Sequence, residues 1–96
     1  MHRYTKAINI AVENANSGNS KINNDILSIQ GMSGRHTRHF YNNICSMPDA
    51  RYLEIGTWKG SSLCAALCNN KISSVCIDNW SYPGGSTQKA FYENLN

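Results

Sequence analysis

The chain lacks most features that mark a membrane, secreted or nucleic-acid-binding protein. No apolar run in its 96 residues approaches the roughly 20 that a membrane helix needs. The N-terminus carries Arg3 and Lys6 but no apolar segment of a signal peptide. The net charge of +3 comes from scattered residues without a basic block, so neither nucleic acid nor a membrane is indicated as a partner. These absences predict a cytoplasmic location.

The four cysteines form no pattern that predicts a disulfide framework or a zinc site. Cys64 and Cys68 stand four residues apart, whereas Cys45 and Cys76 form no second pair. Zinc sites usually combine one tight pair with another pair or with histidines. We therefore predict packed free thiols and no metal ion.

The first half of the chain has the hydrophobic spacing of helices. Repeats of three and four residues predict helices over 3–16, over 21–29 and from Ser33, as N-cap, to about Ser46. The third helix is predicted to bury the face that carries Thr37, Phe40, Tyr41, Ile44 and Cys45. Its predicted solvated face carries Arg35, Arg38, His39, Asn42 and Asn43.

The second half alternates between strand-like and helical patterns. Strands are predicted over 51–55 and 73–77, with a helix over 61–68 between them. A loop over 79–85 leads to a final helix from about Ser86. The order, three helices followed by β-α-β-α, predicts an α/β fold with a parallel pair of strands.

A two-stranded parallel sheet is small, because such sheets normally contain several strands and are covered on both faces. We therefore expect further β–α units after Asn96. On this interpretation residues 1–30 form an N-terminal helical segment, and 31–96 form part of an incomplete α/β domain. The open sheet edge predicts self-association.

The most informative run extends from Tyr52 to Ser62. It predicts a strand ending near Glu54, a sharp turn at Gly56 and a helix beginning at Gly60. The second strand ends at Asp78. Open α/β sheets bind ligands at the carboxyl ends of their strands, and an acid at this second position holds a ribose. The pair predicts a ligand that contains adenosine.

Two phosphate-binding motifs do not match this turn. In the dinucleotide pattern G-x-G-x-x-G, the second and third glycines are replaced here by Trp58 and Ser61. In the P-loop the lysine follows the glycine, whereas Lys59 precedes Gly60. The sequence thus favours an adenosine without a diphosphate, and a nicotinamide-dependent oxidoreductase is the weaker alternative.

The segment from Leu53 to Ser62 resembles the first motif of class I S-adenosylmethionine-dependent methyltransferases. It is most similar to the branch of macrocin O-methyltransferases and cephalosporin-hydroxylase-like proteins. The run from Cys76 to Trp80 resembles the second motif, and Gly31–Ser33 with Arg38–Asn43 resembles the segment before the first strand. The resemblance covers about Gly31 to Leu95. Trp58 stands where many members carry a further glycine.

The resemblance implies a Rossmann-like fold and S-adenosyl-L-methionine as cofactor. Asp78 would hold the ribose, Asn79 or Trp80 would flank the adenine, and the Gly31–Ser33 turn would approach the methionine carboxylate. The cofactor-binding residues implied are Glu54, Gly56, Thr57, Trp58, Gly60, Asp78, Asn79 and Trp80.

The implied activity is methyl transfer to an oxygen of a small molecule or sugar. The catalytic residues are unknown from the sequence, and we expect the 96-residue chain alone to be inactive. The alternative is a Rossmann-like fragment or assembly module without an active centre. The alternative without a ligand is a generic βα turn after the first strand, with Asp78 capping the loop after the second strand.

Overall fold

The computed structural model describes residues 3–80 and 87–95, which form helices and strands in the predicted order. Five helices are present in these ranges: Arg3–Asn16 (α1), Asn24–Leu27 (α2), Arg35–Cys45 (α3), Ser61–Leu67 (α4) and Thr87–Leu95 (α5). The strands are Arg51–Ile55 (β1) and Ser73–Ile77 (β2). The part of the chain described here contains no helix with the length and apolar character to cross a membrane.

The two strands pair in parallel, which confirms the predicted β-α-β arrangement. Arg51 lies opposite Ser73, and Ile55 lies opposite Ile77. The Gly56 N–H continues the ladder by donating to the Ile77 carbonyl at 2.7 Å. The carboxyl ends of both strands therefore lie side by side.

The sheet has one covered face and one exposed face. Side chains alternate between the faces of a strand, and in β1 the half-buried residues are Tyr52 and Glu54. The other face is apolar, and more than half of each aliphatic side chain on it is exposed: Leu53, Ile55, Val75 and Ile77.

Among the helices, α3 packs between α1 and α4. The buried apolar residues of these neighbours are mostly small: Ala11, Ala15, Leu63, Cys64, Ala65 and Ala66. Small side chains let the helix backbones approach one another closely. Polar side chains of α3 can then reach backbone groups of its neighbours.

The predicted solvated face of α3 is wrong at three positions. Arg38, His39 and Asn42 are buried, whereas Thr37 is exposed. Asn42 donates to the carbonyls of Ala65 at 2.8 Å and Cys68 at 2.9 Å. A polar side chain can be buried at low cost when its hydrogen bonds are made, and helical periodicity does not report such distant partners.

Two helix starts differ from prediction. The second helix begins at Asn24, where the Asn23 side chain accepts from the Ile26 N–H at 3.0 Å. The N-cap of α3 is Gly34, and the Ser33 hydroxyl accepts from Arg38 Nε instead. Of the predicted loop over 79–85 and the helix start at Ser86, residues 81–86 lie outside the described ranges.

All four cysteines are free, as predicted. Cys45 and Cys64 are buried, and burial raises the pKa of both thiols. A raised pKa keeps a thiol protonated and unreactive. These two residues therefore act as small core side chains.

Candidate functional site

A cavity of about 650 Å³ lies at the carboxyl ends of the strands. Its volume is within the range of small-molecule sites. Its walls come from the loop before α3, from α3 itself, from the turn after β1, from the start of α4 and from the end of β2. The lining residues are Met32, Ser33, Thr37, Tyr41, Gly56, Thr57, Trp58, Ser61, Ser62 and Asp78.

Asp78 connects the two strand ends through its carboxylate. Its Oδ2 accepts from the Trp58 N–H at 2.8 Å, across the two loops. Its Oδ1 accepts from the Trp80 N–H at 2.7 Å, within its own loop. Both tryptophans have positive φ, 48° and 58°, which is uncommon for residues other than glycine. The carboxylate thus holds two unusual backbone conformations beside the cavity.

The turn after β1 is held by several further contacts. Gly56 has φ of 80°, which glycine adopts without steric cost. The Gly60 N–H donates to the Thr57 carbonyl at 2.8 Å. The Lys59 ammonium lies 4.7 Å from the centroid of the Trp58 ring, a cation–π contact. These contacts present Gly56, Thr57 and Trp58 to the cavity as one wall.

Glu54 lies beneath this wall and does not line the cavity. Its two carboxylate oxygens accept from the hydroxyls of Tyr52 and Thr57, both at 2.6 Å. Burial, followed by the bond to Glu54, raises the pKa of Tyr52. Glu54 therefore supports the turn from below, and its predicted contact with a ligand stays a prediction.

Gly60 and Trp80 face α5. A Cβ on Gly60 would stand 2.9 Å from Phe91 Cδ2, and its φ of 90° also favours glycine. The Trp80 ring packs on Phe91 with centroids 5.2 Å apart. Both residues therefore connect the site to the last helix.

The structure brings half of the predicted site residues into one cavity. Gly56, Thr57, Trp58 and Asp78 line it, whereas Glu54, Gly60, Asn79 and Trp80 do not. The four outside the wall keep their ligand roles as predictions. Their observed positions are behind the turn, against α5 or in the exposed loop after β2.

Several lining residues were missed as site residues. Thr37 and Tyr41 were assigned to the buried face of a helix, and Ser61 and Ser62 to a helix start. The four-residue spacing of Thr37 and Tyr41 places them on one side of α3, but spacing does not distinguish a cavity wall from a core. In the sequence, the two consecutive serines after Gly60 were the signal that could have indicated this part of the cavity wall.

Arg38 lies behind the cavity and is buried, with 4% of its surface exposed. Its Nη1 donates to the carbonyls of Ile26 and Leu27 at 3.1 and 3.0 Å, and its Nε donates to Ser33 Oγ at 3.2 Å. Burial lowers the pKa of this guanidinium. Within the described ranges, the ion pair found is Lys89 with Glu93, so no described carboxylate neutralises Arg38.

His39, next to Arg38, lies outside the cavity wall. Its Nδ1 is 2.7 Å from Ser20 Oγ. Burial, followed by the charges of Arg35 and His36, lowers the pKa of the imidazole. Over residues 3–80 and 87–95, no three His, Cys, Asp or Glu side chains cluster as metal ligands would.

Comparisons of the chain with protein-family models, with curated proteins and with solved structures found no match. The chemistry of the site must therefore be argued from its own residues. The described residues form a mixed α/β fold whose parallel strands end at a cavity of small-molecule size.

Proposed function

We propose that this chain is the S-adenosylmethionine-binding part of a class I methyltransferase with a Rossmann-like fold. The proposed reaction is methyl transfer, in the cytoplasm, to an oxygen atom of a small molecule or sugar. The observation that carries the proposal is the hydrogen bond from the Trp58 N–H to Asp78 Oδ2 at 2.8 Å. It joins the ends of the two strands at the edge of a cavity of about 650 Å³.

Asp78 has the chemistry that a ribose requires. Each carboxylate oxygen accepts one backbone N–H and retains capacity for another hydrogen bond. The two hydroxyls of a ribose are donors that match this remaining capacity. Because the backbone bonds fix the carboxylate before a ligand arrives, little entropy is lost in orienting it.

The turn beside the carboxylate leaves room for a ligand. Apart from its chain neighbours, a Cβ on Gly56 would meet no atom of the described residues within 4 Å, so the space beside this backbone is open. Trp58 occupies the position where a dinucleotide-binding turn needs glycine to approach a pyrophosphate. The turn therefore favours an adenosine without a diphosphate over a nicotinamide cofactor.

S-adenosylmethionine supplies a methyl group on a sulfonium, a good electrophile, so much of the catalysis is alignment of nucleophile and methyl group. In this proposal Asp78 orients the ribose and Trp58 covers one side of the cavity. Glu54 holds Thr57 in place from below. No residue is assigned to the acceptor, and we expect ligand binding without turnover from this chain alone.

Isothermal titration of the 96-residue chain with S-adenosylmethionine and S-adenosylhomocysteine tests the proposal. Both ligands should bind, and NAD should not. Asp78→Ala should weaken binding by about 1–3 kcal/mol, the range for hydrogen bonds to a charged group. The exposed acid Asp49 provides the control, because Asp49→Ala should leave binding unchanged.

Circular dichroism must accompany each titration, since Asp78 also holds the backbone of two tryptophans. Absence of heat with both ligands, for a chain with an intact spectrum, rejects the proposed function. Unchanged affinity in a folded Asp78→Ala variant removes Asp78 from the site.

An assembly module without an active centre is the second candidate. The observation that favours it is the exposed apolar face formed by Leu53, Ile55, Val75 and Ile77. Analytical ultracentrifugation over a wide concentration range discriminates the two. A module would self-associate and bind neither adenosyl ligand, whereas a monomer that binds S-adenosylmethionine contradicts it.

A further inference from the structure

His39 of α3 has a buried ring nitrogen that makes no hydrogen bond within the described part of the chain. The residue is 4% exposed, and its Nδ1 lies 2.7 Å from Ser20 Oγ. Its Nε2 is buried and has no partner among the described residues. Because buried polar groups are normally hydrogen-bonded, an orphaned nitrogen at this position calls for a physical reason. The imidazole lies outside the cavity wall, so the proposed function does not bear on it.

The neutral form of this imidazole tolerates the missing partner better than the charged form. A neutral imidazole has one N–H donor and one acceptor nitrogen, and a serine hydroxyl can pair with Nδ1 in either role. After protonation both nitrogens are donors, and the Nε2–H then has no acceptor in the described ranges. A buried charge with an unpaired donor is costly. Proton uptake therefore favours a conformation in which Nε2 reaches water.

The surroundings of His39 on its own helix carry positive charge. Arg35 and His36 are exposed, and Arg38 is buried. Burial, followed by the charges of Arg35 and His36, lowers the pKa of the His39 imidazole. Over residues 3–80 and 87–95, no carboxylate lies within ion-pair distance of it. A second buried cation beside Arg38 would thus be uncompensated.

The elements packed against α3 add no group that would offset this charge. Helix α4 and its C-cap carry two thiols, those of Cys64 and Cys68, and no charged residue. The segment 17–23, which connects α1 to α2, carries Lys21, whose ammonium donates to Asn70 Oδ1 at 2.9 Å. The charged residues of α1 and α2 are all exposed: Arg3, Lys6, Glu13 and Asp25. The fold therefore favours the neutral imidazole.

The hydroxyl that contacts the imidazole belongs to the connecting segment 17–23. Ser20 Oγ also accepts from the Ile22 N–H at 3.2 Å, so it links the imidazole to the backbone of this segment. One turn further along α3, Asn42 Oδ1 accepts from the Lys21 N–H at 2.9 Å. The segment is thus held to one side of α3 by neighbouring polar side chains, of which the imidazole is the one that can gain a charge near neutral pH.

We propose that His39 is an acid-sensitive contact between α3 and the connecting segment 17–23, and that protonation of the imidazole releases the segment. Because the open form takes up the proton, the contact is fully present above about pH 6.5, the ordinary pKa of histidine, and is lost as the pH falls below it. A proton bound by the open form alone multiplies the opening equilibrium by up to about tenfold between pH 7.5 and 5.5.

Hydrogen exchange of the Lys21 N–H, followed by NMR at pH 7.5 and 5.5, tests the proposal on the full chain. This amide reports on the segment because its hydrogen bond joins the segment to α3. After correction for the intrinsic exchange rate at each pH, its protection in the wild-type chain should fall several-fold, and by at most about tenfold.

Two histidine variants assign this loss of protection. His39→Gln replaces the imidazole by an amide that does not titrate, so the protection of the Lys21 N–H should be equal at the two pH values. His36→Gln is the matched control, because His36 is an exposed histidine of the same helix. This control should lose protection as the wild-type chain does.

Equal protection at pH 7.5 and 5.5 in the wild-type chain overturns the inference. A loss of protection in His39→Gln as large as in wild type also overturns it, and so does the absence of a loss in His36→Gln. If His39→Gln does not fold, an NMR titration of the His39 ring protons in the wild-type chain decides. A midpoint below about pH 6.5 supports the inference, whereas a midpoint at or above that value contradicts it.

Discussion

The two faces of the sheet are stabilised very differently. On the covered face, Tyr52 and Glu54 are half-buried, and their side chains bond to each other and to Thr57 in the turn after β1. On the open face, Leu53 is 62% exposed and Ile55 is 76% exposed. The same two strands therefore receive nearly all of their packing from one side. The difference shows that the candidate site belongs to the better packed layer.

The difference also appears in how polar groups are used. Around α3 the side chains of asparagine and arginine donate to backbone carbonyls of other segments. Such hydrogen bonds connect loops and helix ends to α3 without the need for a large apolar core. The open face has no comparable contacts among the described residues, and self-association through the sheet edge stays a prediction.

The largest expected contrast is between a buried leucine of α4 and an exposed leucine of β1. Leu63→Ala removes a side chain that is 3% exposed, and should lower the free energy of unfolding by about 2–5 kcal/mol. Leu53→Ala removes a mostly exposed side chain, and should cost less than about 1 kcal/mol. Urea unfolding followed by circular dichroism measures both.

Equal losses of unfolding free energy in the two leucine variants would contradict the stated difference between the two faces. A large loss for Leu53→Ala that grows with protein concentration would show that an assembly covers the open face. Sedimentation of the wild-type chain at the same concentrations separates these outcomes.

Removing a buried amide should have the next largest effect. Asn42→Ala deletes two bonds to carbonyls and one from the Lys21 N–H at 2.9 Å. The Ala65 carbonyl is left buried and the other two partners are left partly buried, so the expected loss is about 3 kcal/mol. Asn43→Ala is the matched control, since its amide donates to Ala11 and Asn19 at a partly exposed position, and should cost about 1 kcal/mol. Thermal and urea unfolding provide the values; a loss for Asn42 no larger than for Asn43 would refute the role of burial.

Two glycines at N-cap positions should respond in opposite directions to the same substitution. Gly60 has φ of 90° and Phe91 against it, so Gly60→Ser should cost about 2 kcal/mol. Gly34 has φ of −77° and open space around it. Gly34→Ser should stabilise α3 by a few tenths of a kcal/mol, because serine is a better N-cap in this conformation. Shifts of the melting temperature that have the same sign in both variants would show that the contact with α5 does not constrain Gly60.

Much of the backbone could be predicted from local patterns. The strands over 51–55 and 73–77 occur where alternation and flanking turn residues predicted them, and the pairing is parallel as expected. The turn at Gly56 follows from a conformation that glycine favours. These features depend on residues close together in the chain, which is why the sequence reports them.

The site could be predicted only in part. Asp78 and Trp58 were identified because a strand end and a turn predict where they lie. Tyr41 and Ser61 were not, because a helical residue beside a cavity has the same spacing as one in a core. Glu54 was expected at the ligand, but Tyr52 and Thr57 hold its carboxylate below the wall.

The sequence by itself determined where helices and strands begin and end to within a few residues, and that two acids follow neighbouring strands. The tertiary structure alone decided which side of α3 is buried and which acid faces the cavity. It also placed the imidazole of His39 against the Ser20 hydroxyl. The physical reason is that dihedral preferences and hydrophobic periods act over a few residues, whereas burial of a polar group depends on donors and acceptors supplied from distant segments.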